Sequence, residues 1–122
     1  MRLVTMRTDT GTRAGRVDAH TVTELPFADV GDLLRSGPDW REMASVDGRR
    51  HRMDGVELAA LISSPAKIIC LGLNYVGHIT EMGRQLPEHP TLFAKYASAL
   101  TGPADLIPLP PESSAVDWEA EL

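Results

Sequence analysis

The stretch Lys67 to Glu81, KIICLGLNYVGHITE, decides how this chain is read. Ile68, Ile69, Cys70 and Leu71 form an apolar, partly β-branched run of the length of a buried strand, far too short to cross a membrane. Gly72 breaks the run, and Asn74 is the expected cap of the next element. From there Tyr75, Val76, Ile79 and Met82 take helical spacing, with Asn74, His78 and Glu81 on the opposite side. The pattern predicts a buried strand delivering a short helix that turns an Asn, a His and a Glu the same way. Sites are often built where a rigid strand passes into a loop or helix.

Upstream, residues 2 to 25 read as a three-strand meander. Arg2 to Arg7 alternates weakly with Val4 and Met6 inward, Thr8 to Gly11 turns the chain, and Thr12 to Val17 forms a second strand. Asp18-Ala19-His20 turns into Thr21 to Leu25, which Pro26 stops, leaving His20 solvated on the turn. Asp29 is placed to cap a helix whose stripe is Val30, Leu33 and Leu34, and a second helical piece from Pro38 is expected to carry Trp40, Met43 and Ala44 inward. His51 falls in a basic, exposed-looking segment and receives no role. Asp54-Gly55-Val56-Glu57 has the form of a capping box, predicting a helix with Leu58, Leu61 and Ile62 on its apolar side. Ser63-Ser64-Pro65 marks the expected boundary between a leading module, residues 1–64, and a second unit, residues 65–122.

Downstream, a polar loop ends at Pro90, Thr91 to Ala94 reads as a strand and Lys95 to Leu100 as a brief turn. Thr101 to Asp105 is another turn, and Leu106 to Leu109 a strand fragment. Val116, Trp118, Ala120 and Leu122 alternate with Asp117, Glu119 and Glu121, as on a core strand. A chain that stops inside such a strand is expected to be part of a longer protein. Dense Pro and Gly with short apolar runs predict an α+β fold that is predominantly β.

Composition narrows the function classes. A chain of 122 residues is long enough for a modest core, and 43% apolar residues with 5% aromatic means that aliphatic side chains supply most of it. A net charge of −5 without a long basic cluster argues against nucleic-acid or anionic-membrane binding. The N-terminus places Arg7 and Asp9 where a signal peptide needs apolar residues, and the single cysteine, Cys70, reads as an inert core thiol in a reducing, cytoplasmic setting.

Three constellations can carry chemistry. Glu119 and Glu121, at i and i+2 on a strand, project to the same face, where two carboxylates tolerate each other best around an oxygen-liganded divalent ion. The same spacing also describes a strand with a solvated acidic face. His78 and Glu81, at i and i+3 on a helix, are neighbours; the carboxylate can orient the imidazole for general acid or base work, or the two can form a weak exposed pair. Lys95, one of two lysines, can anchor a carboxylate or simply be solvated.

Taken together, KIICLGLNYVGHITEMG, PTLFAKYASALTGPADLIPLP and VDWEAEL occur in the order found in the fumarylacetoacetate hydrolase family, and Lys67 to Leu122 resembles its short bacterial-type members. Residues 1–64 resemble the small, more variable N-terminal module of such enzymes. The resemblance implies a β roll with a mixed sheet, a homodimer, and cleavage of a C–C bond in acylpyruvate-like or fumarylpyruvate-like 2-oxo acids, often in aromatic catabolism. It implies that Glu119 and Glu121 bind Mg²⁺ or Mn²⁺, that His78 and Glu81 activate water, and that Lys95 lies on the substrate side. Larger members carry a metal-binding Asp near this position; this chain has Asn74 there, as short members do, so Asn74 is not taken as a ligand. The family's third metal carboxylate lies beyond Leu122, so this exact chain is expected to hold metal weakly and to be inactive alone. The same scaffold also supports isomerases, decarboxylases and hydratases of 2-oxo acids; a different class of answer is an inactive fragment or interaction module.

Overall fold

The computed structural model describes residues 1–118; Glu119, Ala120, Glu121 and Leu122 lie outside the described residues. The meander forms as the sequence predicts: β1 (Arg2–Thr8), β2 (Gly11–Asp18) and β3 (Thr21–Glu24) pair antiparallel in chain order. The β1–β2 register runs from Arg2 opposite Val17 to Thr8 opposite Gly11, so Asp9 and Thr10 close the hairpin and Gly11 takes φ 130°, which a side chain would resist. The β2–β3 turn instead puts Ala19 at φ 52°, a conformation costing an L-residue about 1–2 kcal/mol.

A fourth strand was not legible. After α1 (Val30–Arg35) and α2 (Trp40–Met43), β4 (Arg50–Arg52) returns to the open edge of β3, with Val22 opposite His51. Its sequence, Arg-His-Arg, has no apolar alternation to announce a strand; pairing with β3 recruits it, helped by the contact of His51 with Glu24.

Both faces of this sheet are covered. On one, Ala14 and Leu25 pack with Val30, Leu33 and Ala44, flanked by Leu3, Phe27 and Trp40; on the other, Met6, Val17 and Val22 meet Val4, Met53 and Val56. Two covered faces explain why β1 alternates only weakly, since Thr5 is as buried as Met6. The face between Val4 and Val22 is tight enough that a Cβ on Gly15 would come 2.5 Å from Val22 Cγ1.

Asp29 ties the helical layer down. Its Oδ1 accepts from the Asp32 amide at 2.6 Å, the predicted cap, and its Oδ2 accepts from the Ser63 amide at 2.8 Å. Thr5 Oγ1 donates to the Leu61 carbonyl at 2.6 Å and accepts from the Val30 amide. Burial acts to raise the pKa of Asp29, but the backbone amides of Asp32 and Ser63, the Ser63 side chain and Arg35 outweigh it and hold the carboxyl below its usual range. Two stripe positions differ from the expectation: Leu34 and Met43 face solvent, whereas Ala44 is buried as expected.

The helix expected over 54–62 does not form. A 3-10 turn, Met53–Gly55, leads into an extended segment bonded to β1, with Arg7 N–H donating to Glu57 O (2.8 Å), Ala59 N–H donating to Thr5 O (2.9 Å), and Met6 bridging Leu58. Asp54 is engaged by Arg52, Nη2 to Oδ2 at 2.6 Å, a contact that also holds its carboxyl below the usual range, so it is not available as a cap. An unpaired edge of β1 satisfies these backbone groups better than a short isolated helix can.

The second sheet is a ribbon of β5 (Ile69–Gly72) and β6 (Thr91–Ala94), antiparallel, with Ile69 opposite Ala94 and Gly72 opposite Thr91. The strand expected to be buried is not: Ile69, Leu71, Leu92 and Phe93 are exposed, and Cys70 is half-buried rather than a core thiol. No second layer covers the ribbon among the described residues. Leu106, Ile107 and Leu109, predicted as a strand fragment, are exposed and belong to no strand; Pro108 sits inside the run and removes a ladder donor. Val116, Asp117 and Trp118 are likewise not in a strand, and the remainder of the E-x-E alternation lies outside the described residues. The architecture is predominantly β, antiparallel in every described strand pair, with a few short helices. Among the described residues no helix is long and apolar enough to cross a membrane.

Candidate functional site

The site begins where β5 ends. After Gly72 the chain turns sharply through Leu73, held at φ 55°, and enters α3 (Val76–Glu81). A bulky residue in the left-handed region is strained, and such strain persists only where the surroundings enforce it. Asn74 is exposed and is not the helix cap; Tyr75 takes that position at φ −110° without a side-chain capping bond. The displaced turn spends Leu73, not Asn74, on the change of direction. One buried side chain, Ile79 at 2% exposure, anchors α3. Tyr75, Val76 and Met82, expected on its inner side, are exposed.

His78 and Glu81 both lie on α3 and are exposed, and no hydrogen bond or ion pair joins them. A cavity of about 170 Å³ sits beside the helix, with Gly72, Leu73, Asn74, His78, Ile79 and Phe93 in its wall. The antiparallel register sends Lys95 to the far end of the ribbon, where its amide donates to Ile68 O at 3.1 Å. Its side chain folds back, with Nζ 5.4 Å from the centroid of the Phe93 ring, in cation–π range. Phe93 is therefore the residue that links Lys95 to the His78 cavity, although sequence reasoning assigns it only an apolar strand position. Its signal is the alternation around it, which marks a strand but not a cavity wall.

Glu119 and Glu121 lie outside the described residues. Among the described residues no three His, Cys, Asp or Glu side chains are grouped closely enough to hold a metal ion. Within residues 1–118, then, His78 lines the small cavity, while Glu81 further along α3 and Lys95 just past β6 stand outside its wall.

A second cluster stands apart on the leading sheet. His51 Nε2 lies 3.0 Å from Glu24 Oε2, and Arg13 Nε lies 3.8 Å from Glu24 Oε1, across three neighbouring strands. These side chains, with Arg7, Arg49 and Glu57, bound a cavity of about 610 Å³. His51, expected in an exposed segment, is half-buried here because β4 forms. Within this wall Glu24 is shared by Arg13 and His51, and Arg7 meets Glu57.

Residues 67–122 match the family model described as the fumarylacetoacetate (FAA) hydrolase C-terminal domain. A mitochondrial oxaloacetate tautomerase of Xenopus laevis is 44% identical over 81 residues, covering 65% of this chain and 25% of that protein. A fumarylacetoacetate hydrolase domain-containing protein 2 homolog of Dictyostelium discoideum is 34% identical across 100% of this chain and 45% of its own length. Among solved structures, a candidate HpcE protein from Mycobacterium smegmatis superposes with a TM-score of 0.73 at 29% identity, covering 91% of this chain and 41% of that one. The chain thus spans less than half the length of each of these relatives. Residues 67–122, which hold β5, α3 and β6, therefore match the fumarylacetoacetate hydrolase family, and the chain as a whole is similar to a member of it.

Proposed function

We propose that this chain is part of a divalent-metal-dependent enzyme acting on small 2-oxo acids, with keto–enol tautomerisation of an oxaloacetate-like dicarboxylate as its leading reaction. The observation that supports it most is His78 in the wall of the α3 cavity, in a segment similar to oxaloacetate tautomerases. His78 would take the proton from the carbon next to the ketone and return a proton to the ketone oxygen, the net change being a hydrogen moved from carbon to oxygen. Glu81, one helical turn away, would orient the ring once substrate fills the cavity, and Lys95 would receive a substrate carboxylate. Glu119 and Glu121 would hold Mg²⁺ or Mn²⁺, which when bound supplies a Lewis acid for the carboxylate and ketone oxygens.

A second reading is hydrolysis of a C–C bond in an acylpyruvate-like compound, as in aromatic catabolism. It is favoured by the His78–Glu81 spacing, in which the same base would deprotonate water. Decarboxylation and hydration on this scaffold have no separate support here. The division at residue 64, a homodimer formed through the apolar ribbon, and a cytoplasmic setting are part of this proposal. An interaction module without catalysis is the alternative of another class.

Oxaloacetate and an acylpyruvate, each with Mn²⁺, test it in the protein that carries this chain. Enol absorbance changing at constant mass supports tautomerisation, and pyruvate release supports hydrolysis. His78→Ala should reduce the rate by about 10²–10⁴-fold. A His78→Ala protein as active as the unmodified one would remove His78 from the chemistry.

A further inference from the structure

The turn after the 3-10 segment Ala97–Ala99 does more than reverse the chain. Asp105 Oδ2 accepts from the Gly102 amide at 2.7 Å and closes the turn on itself. Both oxygens of Asp105 lie 2.7 Å from Arg7 Nη2, a guanidinium reaching out from β1, whose Nε also contacts Glu57 at 3.0 Å. The Gly102 amide first, and Arg7 next, hold the Asp105 carboxyl below its usual range, so it stays ionised at neutral pH. A second observation is independent of charge. Gly102 is buried, and a Cβ built there would lie 2.8 Å from Leu58 O and 3.2 Å from Ala59 Cα. The turn is thus pressed against the backbone of the segment that extends the β1 edge. Pro103 and Leu58 face a small apolar cavity at the same seam.

We infer that the Gly102–Asp105 turn is a latch, in which Arg7, Gly102 and Asp105 are positioning residues that hold the β6 segment, and with it Phe93 and Lys95, against the leading sheet. The leading module then has a definite role, fixing one end of the ribbon that carries the cavity wall. The positioning of Lys95 for substrate rests on the function proposed above; the latch itself does not.

Hydrogen–deuterium exchange on the full chain decides the latch. Gly102→Ala and Arg7→Ala should each speed exchange at the amides of Gly102, Asp105 and Leu92 to Ala94 by at least about tenfold, while amides paired between β2 and β3 change less than about twofold. Arg7→Lys, which keeps the charge, should recover part of the protection lost in Arg7→Ala, and it should recover none in the Gly102→Ala background. Unchanged exchange at the turn, or loss spread evenly over β2 and β3, would overturn the latch. With oxaloacetate as substrate, Asp105→Asn should raise KM several-fold with a smaller change in kcat, and an unchanged KM would overturn the link to Lys95. Absence of turnover in the unmodified protein would count against the proposed reaction alone, because the exchange comparison reads the latch without it.

Discussion

The two sheets of this molecule use similar residues to opposite effect. The β1–β4 sheet buries apolar side chains on both faces, closes one edge with β4 and the other with Glu57 to Ala59, and caps its helix with a doubly bonded carboxylate. The β5–β6 ribbon has equally apolar strands, yet Ile69 and Leu92 are each 64% exposed. Burial on a sheet depends on what packs over it, and the candidate catalytic groups sit on the less covered of the two. A covered sheet beside a less covered ribbon with the candidate groups is the arrangement expected if functional segments come from the less stable parts of a fold.

Substitutions that probe the two regions in parallel test this contrast. The largest effect is expected in the core: Leu33→Ala should destabilise the chain by about 2–4 kcal/mol, against less than about 0.5 kcal/mol for Leu92→Ala, measured by urea unfolding. A comparable cost at Leu92 would mean that the ribbon is buried in solution, as in an association of copies. Next is Asp29→Ala, which removes a cap and leaves the Ser63 amide without its acceptor; about 2–3 kcal/mol is expected. The sign of the accompanying pH effect follows from the depressed pKa. Asp29 contributes its stability above the unfolded value near 3.8, and that contribution is lost as the pH falls through the lower folded value. The acid limb of the unmodified chain should therefore flatten in Asp29→Ala. Smallest are the two strained turns. Ala19→Gly and Leu73→Gly should each be stabilising or neutral, within about 1 kcal/mol, since relief of the left-handed strain is opposed by glycine's greater chain entropy. If Leu73→Gly preserves stability but lowers turnover, the strain serves the site rather than the fold.

Much of the scaffold was legible. The β1–β3 hairpins declared themselves through alternation between Gly-containing and Asp-Ala-His turns, and α1 through Asp29 followed by Val30 and Leu33. The strand passing into a helix that carries His78 and Glu81, the candidate site, was legible as secondary structure. The illegible features depended on long-range partners. A local capping box at Asp54 lost to Arg52 and to the open β1 edge, and Arg-His-Arg became β4 only because β3 offered an unpaired ladder.

Local pattern and turn chemistry, then, determined the meander, the cap at Asp29, the β5–α3 order and the spacing of the candidate base and carboxylate. Those features need only neighbouring residues to be satisfied. Tertiary structure alone decided which apolar strands are buried, that Phe93 joins Lys95 to the His78 cavity, and that Arg7 meets Asp105 across 98 positions of sequence. Contacts of that kind arise from backbone edges and close packing that form only once separate segments have come together.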